Sequence, residues 1–76
     1  MTAVNWGGTT YDDRHGGPFD RGSADSYYRR SYRPHYYIGG THSSPLVMEA
    51  EMTQDDLDAY QAGFEYNEWM GNHKEW

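Results

Sequence analysis

The sequence predicts a small, mainly α domain. Two helices, at about 18–30 and 54–70, are joined by an aromatic-rich linking loop or short hairpin and preceded by a flexible N-terminal arm. Three observations carry this expectation. Residues 54–70 hold an amphipathic period of 3.6 residues, bracketed by a capping threonine and a glycine. Pro18 opens a second stretch in which Asp20 and Asp25 come early and Arg29 and Arg30 late, the order that suits a helix dipole. The first 17 residues hold Gly7, Gly8, Gly16 and Gly17 and show no period.

Residues 1–17, MTAVNWGGTTYDDRHGG, are therefore expected to be an arm, with Trp6 and Tyr11 as its means of docking on a single domain of residues 18–76. Pro18 suits the first turn of a helix because its missing N–H has no intrahelical partner to lose there. Gly22 and two serines weaken that helix, and Pro34 disfavours helical geometry at Arg33, so the helix ends before it. In PHYYIGGTHSSPLVMEAE, the segments HYYI and LVMEAE read as extended, separated by GG and SSP turn signals. A hairpin and an ordered loop both satisfy that pattern.

For the second helix, Thr53 serves as N-cap and Gly71 as a left-handed stop, while Asp56 stands where a full capping box has Glu or Gln. Leu57, Tyr60, Gly63, Phe64 and Asn67 share one face, Asp58, Gln61, Glu65 and Glu68 the opposite one, and Ala62, Tyr66 and Trp69 a third stripe. Gly63 costs the helix about 1 kcal/mol relative to alanine. Gly22 and Gly63 are either tolerated accidents or the point where two helices cross, and a crossing with the tyrosine-rich link folded over it is the expected architecture.

At 76 residues, such a domain buries only about 60% of the surface its unfolded chain exposes. There is no cysteine, which excludes a disulfide scaffold and a Cys-based zinc site. The only Val, Leu, Ile and Phe residues are Val4, Phe19, Ile38, Leu46, Val47, Leu57 and Phe64, so the eight tyrosines and three tryptophans must supply much of the core. That scarcity bears on SYYRRSYRPHYY, residues 26–37. Its arginines and tyrosines suit single-stranded nucleic acid, with Arg29, Arg30 and Arg33 on phosphates and Tyr32 among the stacking rings. The competing reading makes it mainly core, with Tyr27 or Tyr28 and Tyr36 or Tyr37 inward and the arginines facing the acidic helix.

Charge is unevenly placed. Residues 1–47 carry five arginines and four aspartates, net +1; residues 48–76 carry eight acidic residues against Lys74, net −7; together they give the chain's −6. A nucleic-acid binder is normally basic, because phosphate neutralisation supplies most of its affinity. The acidic helix is either a solvated face or a surface for a basic partner, with Asp58, Glu65, Tyr66, Glu68 and Trp69 as the candidate binding residues.

Motifs for catalysis are absent: no Gly-x-Ser-x-Gly, Walker loop or dinucleotide fingerprint occurs. His15, His35, His42 and His73 lack zinc-site spacing, so neither a metal nor a cofactor is expected. No apolar run is long enough for a membrane span and the N-terminus has no signal-peptide pattern, which predicts a cytoplasmic protein without a membrane partner.

GGPFDRGSADSYYRRSYRPHYY and AYQAGFEYNEWMGNHKEW, spanning residues 16–76, resemble small acidic proteins of unestablished function encoded by tailed bacteriophages. The resemblance implies a phage-type accessory protein in the host cytoplasm and transfers no catalytic residue. A weaker similarity is to ribosome modulation factor, a two-helix RNA-binding family, through Arg30, Ser31, Pro34 and Tyr36 and through Tyr60, Gly63 and Phe64. That family is basic where this helix is acidic, so the similarity implies layout more than ribosome binding. The function expected is non-enzymatic binding of a host macromolecule, most simply a protein, through the acidic and aromatic helix. RNA or ribosome association through residues 27–37 is the alternative, and self-association a further one.

Overall fold

In a computed structural model, which describes residues 3–38 and 45–71, the chain forms β1 (Ala3–Trp6), β2 (Thr9–Asp12), α1 (Pro18–Tyr27), β3 (His35–Tyr37), β4 (Leu46–Met48), a 3-10 turn (Glu49–Glu51) and α2 (Gln54–Met70). Two antiparallel two-stranded sheets, β1–β2 and β3–β4, accompany the two helices. The fold is thus α+β, not the mainly α domain the sequence predicts.

The largest correction is at the N-terminus. The expected arm carries the β1–β2 hairpin, paired Ala3 with Asp12, Val4 with Tyr11, Asn5 with Thr10 and Trp6 with Thr9. Gly7 and Gly8, with φ of 60° and 84°, form the two-residue turn, whose positive dihedrals match the twist of the flanking strands. Val4, Trp6 and Tyr11 are partly covered while their neighbours are exposed, so alternation assigns one face to the body. Tyr11 stacks on Phe19 of α1 at 5.8 Å, and Trp6 meets Tyr66 edge-on at 5.4 Å and Trp69 at 5.5 Å on α2. The hairpin therefore clasps both helices.

α1 starts at Pro18, as expected, and Asp20 reaches back to accept the Gly16 N–H at 2.9 Å. It stops at Tyr27, earlier than the expected 30, because Arg29 adopts a left-handed φ of 59° and its N–H closes on the Ser26 carbonyl. Arg29 and Arg30 thus lie beyond the helix. α2 has the expected bounds. Thr53 and Asp56 complete a reciprocal capping box, so aspartate reaches where glutamate was the expected partner, and Gly71 ends the helix at φ 67°.

The helices cross where Gly22 and Gly63 face the opposing backbone. A Cβ on Gly22 would lie 2.0 Å from the Tyr60 carbonyl oxygen, and one on Gly63 2.0 Å from that of Phe19. Both glycines are required for this approach. Around the crossing the buried apolar side chains are Phe19, Met52, Tyr60 and Ala62, joined by buried Asp25, Ser26 and Asn67. Tyr27, Tyr36 and Tyr37 are only half-buried and Tyr28 is exposed, so the tyrosine-rich stretch walls the core instead of filling it. Tyr60, from the other helix, is the large ring that is wholly enclosed.

β3 and β4 settle the choice between hairpin and loop: His35 pairs with Met48, Tyr36 with Val47 and Tyr37 with Leu46. The connecting GGTHSS lies outside the described residues. Tyr37 also donates its N–H to Gly16 at 2.8 Å, tying this sheet to the start of α1.

Tyr60 gives the core a pH signature. Its hydroxyl donates to the buried Asp25 carboxylate and accepts the Arg33 N–H at 3.1 Å. Burial foremost, then the hydrogen bond to Asp25, raises its pKa above the ordinary value of 10.0, while the Arg33 N–H acts in the opposite direction. Folded Tyr60 therefore keeps its proton where the unfolded chain has lost it. The contribution is complete below about pH 10 and falls above it, by up to about 1.4 kcal/mol per pH unit, until the folded group ionises too. Urea unfolding at about pH 9 and pH 11 should show a steeper alkaline loss in the native protein than in Tyr60→Phe.

Candidate functional site

The β1–β2 hairpin and α2 enclose two adjoining grooves. One, of about 550 Å³, runs between β2 and the start of α2, with Asp12, Asp55, Asp56 and Asp58 among its walls and Arg14 as its cation. The other, of about 270 Å³, continues along α2 past Gln61 and Glu65, with Trp6 opposite. Both are lined by Tyr11 and Asp58, so they form one acidic seam with an aromatic wall. At its far end Trp6, Tyr66 and Trp69 cluster, and Trp69 remains 72% exposed.

Asp55, Asp58 and Glu65 of this seam are exposed and weakly compensated. Asp58 accepts from Gln54 at 2.8 Å and Glu65 from Gln61 at 3.3 Å, both neutral donors one helical turn away. No arginine of the described residues pairs with Asp55, Asp58 or Glu65. Arg14 lies 3.8 Å from Asp12, and Arg21 and Arg30 approach Asp25 of α1. The expectation that the arginines face the acidic helix is thereby corrected for Arg30. The negative field is felt at Tyr32: burial raises its pKa first, and Glu65, Glu49 and Asp58 add to the rise.

Of the partner-binding candidates, Asp58 and Glu65 line the seam, and Tyr66 and Trp69 stand at its end. Glu68 does not join them, because it accepts a hydrogen bond from Ser26 of α1, whose hydroxyl in turn takes one from Asn67 at 3.0 Å. Tyr11, Trp6 and Asp12 complete the seam; the sequence points to Trp6 and Tyr11 only as docking residues of an arm and not to Asp12. The available signal was Gly-Gly between AVNW and TTYD, a hairpin turn flanked by strand formers.

The nucleic-acid candidates separate. Arg29 is exposed at the turn after α1. Tyr32, 48% exposed, packs edge-on against Tyr60 and Phe64, both at 5.2 Å. Arg30 and Arg33 line a different cleft, of about 370 Å³, together with Arg21, Asp25, Ser31, His35 and Tyr37. Asp25, 3% exposed, is the centre of that region, reached by the Tyr60 hydroxyl, Arg21 at 3.9 Å, Arg30 at 3.5 Å and His35 at 3.8 Å. His35 Nδ1 lies 2.7 Å from the Arg33 carbonyl, and its Nε2 receives Arg21 Nε–H at 3.3 Å. Nδ1 must therefore carry the proton and Nε2 the lone pair.

Among the described residues, no group of three or more His, Cys, Asp or Glu is placed to hold a metal ion, and no helix is long and apolar enough to cross a membrane. Set against known proteins, the chain matches no family model, no curated protein and no solved structure.

Proposed function

We propose that the protein is a non-enzymatic accessory factor of the host cytoplasm that binds a basic segment of a host protein along the acidic seam. The observation that supports this most is the seam itself, in which Asp55, Asp58 and Glu65 lie along a groove whose other wall is Tyr11 and Trp6. Carboxylates without arginine partners attract a cationic chain, and exposed aromatic rings supply the desolvated anchors that dominate interface energies. Trp69 is such an anchor, with its indole mostly in solvent and its inner edge on Trp6. The phage resemblance of residues 16–76 favours a host protein as the partner.

Affinity capture from host lysate, with mass spectrometry of the bound material, tests the proposal. A stoichiometric protein partner is expected, its affinity about 100-fold lower for Glu65→Lys with Trp69→Ala. Asp58→Lys with Glu65→Lys, which spares the aromatic cluster, should weaken it too, and added salt should do the same. No stoichiometric partner, or binding that survives the first double variant, sinks the reading.

A further inference from the structure

The cleft beneath Arg30 and Arg33 lies apart from the acidic seam and has the opposite charge. Its lining holds three guanidinium groups, Arg21, Arg30 and Arg33, against one carboxylate, Asp25, so three minus one leaves +2 in a chain whose total is −6. Three of the chain's five arginines converge there.

Asp25 acts as the anchor of this cluster and not as its occupant. One oxygen is approached by Arg21 Nη2 and Arg30 Nη1, the other by the Tyr60 hydroxyl and the His35 ring, and the residue is buried. Two arginines are thereby held side by side with their directions set. Arg21 is fixed further by His35 Nε2 and lies 5.6 Å over the Tyr37 ring, and Arg30 lies 4.7 Å over that of Tyr28. A guanidinium has five N–H donors, and these contacts occupy a minority of them. The Arg33 side chain has no hydrogen bond or ion pair among the described residues, and Ser31 adds a hydroxyl at the same cleft.

We propose that this cleft binds a phosphate group carried as a monoester or as free phosphate. A dianion matches the surplus of two positive charges, and planar guanidinium forks are the side chains best suited to paired contacts with phosphate oxygens. Arg21 and Arg30, already oriented by Asp25, lose little freedom on binding, and Arg33 closes from the rim. The buried carboxylate opposes the anion, but its negative charge is outnumbered and each of its oxygens is engaged.

NMR titration of the ¹⁵N-labelled full chain with inorganic phosphate, adenosine monophosphate and hexauridylate tests this, with sodium chloride as the ionic-strength control. Phosphate and the mononucleotide should each give saturable shifts in the amides of residues 30–33 and 35–37. Arg33→Gln, an exposed change that leaves the fold intact, should weaken both by about tenfold or more. Glu65→Gln on the seam should leave them unchanged, which keeps this site's outcome separate from that of partner capture. Response to phosphate alone would identify the free ion as ligand, and a tighter response to the mononucleotide would identify an ester. Absence of saturable shifts, equal affinity in Arg33→Gln, or a response to hexauridylate only would each overturn the proposal.

Discussion

A Gly63→Ala variant should lose about 3 kcal/mol of stability or more, lowering the melting temperature by at least about 12 °C in a domain of this size. The added methyl would meet the Phe19 carbonyl oxygen at 2.0 Å and that residue's Cα at 3.0 Å. These are backbone atoms of the facing helix, so no rotamer change relieves the clash and the helices must move apart. Separation opens gaps around Phe19 and Tyr60, where the core has few other large side chains to close them. Helix propensity works the other way and recovers about 1 kcal/mol at most. Gly22→Ala should behave alike, because its Cβ would meet the Tyr60 carbonyl oxygen at 2.0 Å. Gly71→Ala is the control: nothing lies within 4 Å, and only its left-handed φ of 67° opposes the change, at about 1 kcal/mol. Thermal unfolding followed by circular dichroism ranks the three, and a Gly63→Ala protein as stable as the native one would refute the crossing.

Asp25→Ala should cost about 3 kcal/mol or more by a different route. The carboxylate is 3% exposed and serves the Tyr60 hydroxyl, two arginines and His35. Its removal leaves the Arg21 side chain, 12% exposed, without its counter-charge, and breaking one side of a buried pair typically costs 3–5 kcal/mol. Arg30 is half in solvent and contributes less. Tyr60→Phe removes the donor to Asp25 and the acceptor of the Arg33 N–H but leaves the charges paired, so a loss of only about 1–2 kcal/mol is expected. Denaturant unfolding of both single variants and the double variant should show strong non-additivity, since the two groups share one hydrogen bond. Simple addition of the two losses would mean that Asp25 and Tyr60 act separately.

The parts of this fold that sequence made legible are those governed by local chemistry. α2 is bounded by a threonine cap and a glycine stop, and its period exposes Asp58 and Glu65 and buries Tyr60. The glycine crossing was legible because glycine within an apolar helical face needs a reason. The β1–β2 hairpin was not, since Gly7 and Gly8 serve a tight turn and a flexible arm equally well until Trp6 and Tyr11 find their partners. The end of α1 depends on Arg29 entering a left-handed conformation, which no residue type there demands. Half of the seam was visible in the acidic helix and half was hidden in that hairpin. The arginine cleft was the least legible, because Arg30 turns back onto Asp25 only through the left-handed turn at Arg29, and His35 joins only after β3 has packed on α1.

The contacts that tie α2 to the rest of the domain share one property, their reach along the chain. Ser26 and Glu68 are 42 positions apart, Asp25 and Tyr60 35, and Trp6 must wait for Trp69. Neither helix meets another helix within its own half. Folding must therefore close a long loop before any burial rewards it, which makes the reaction slower and more nearly all-or-none than the helical content suggests. A nascent chain that has not yet delivered α2 leaves α1 and the first hairpin only each other and β3 to pack against, through Tyr11 on Phe19 and His35 on Arg21.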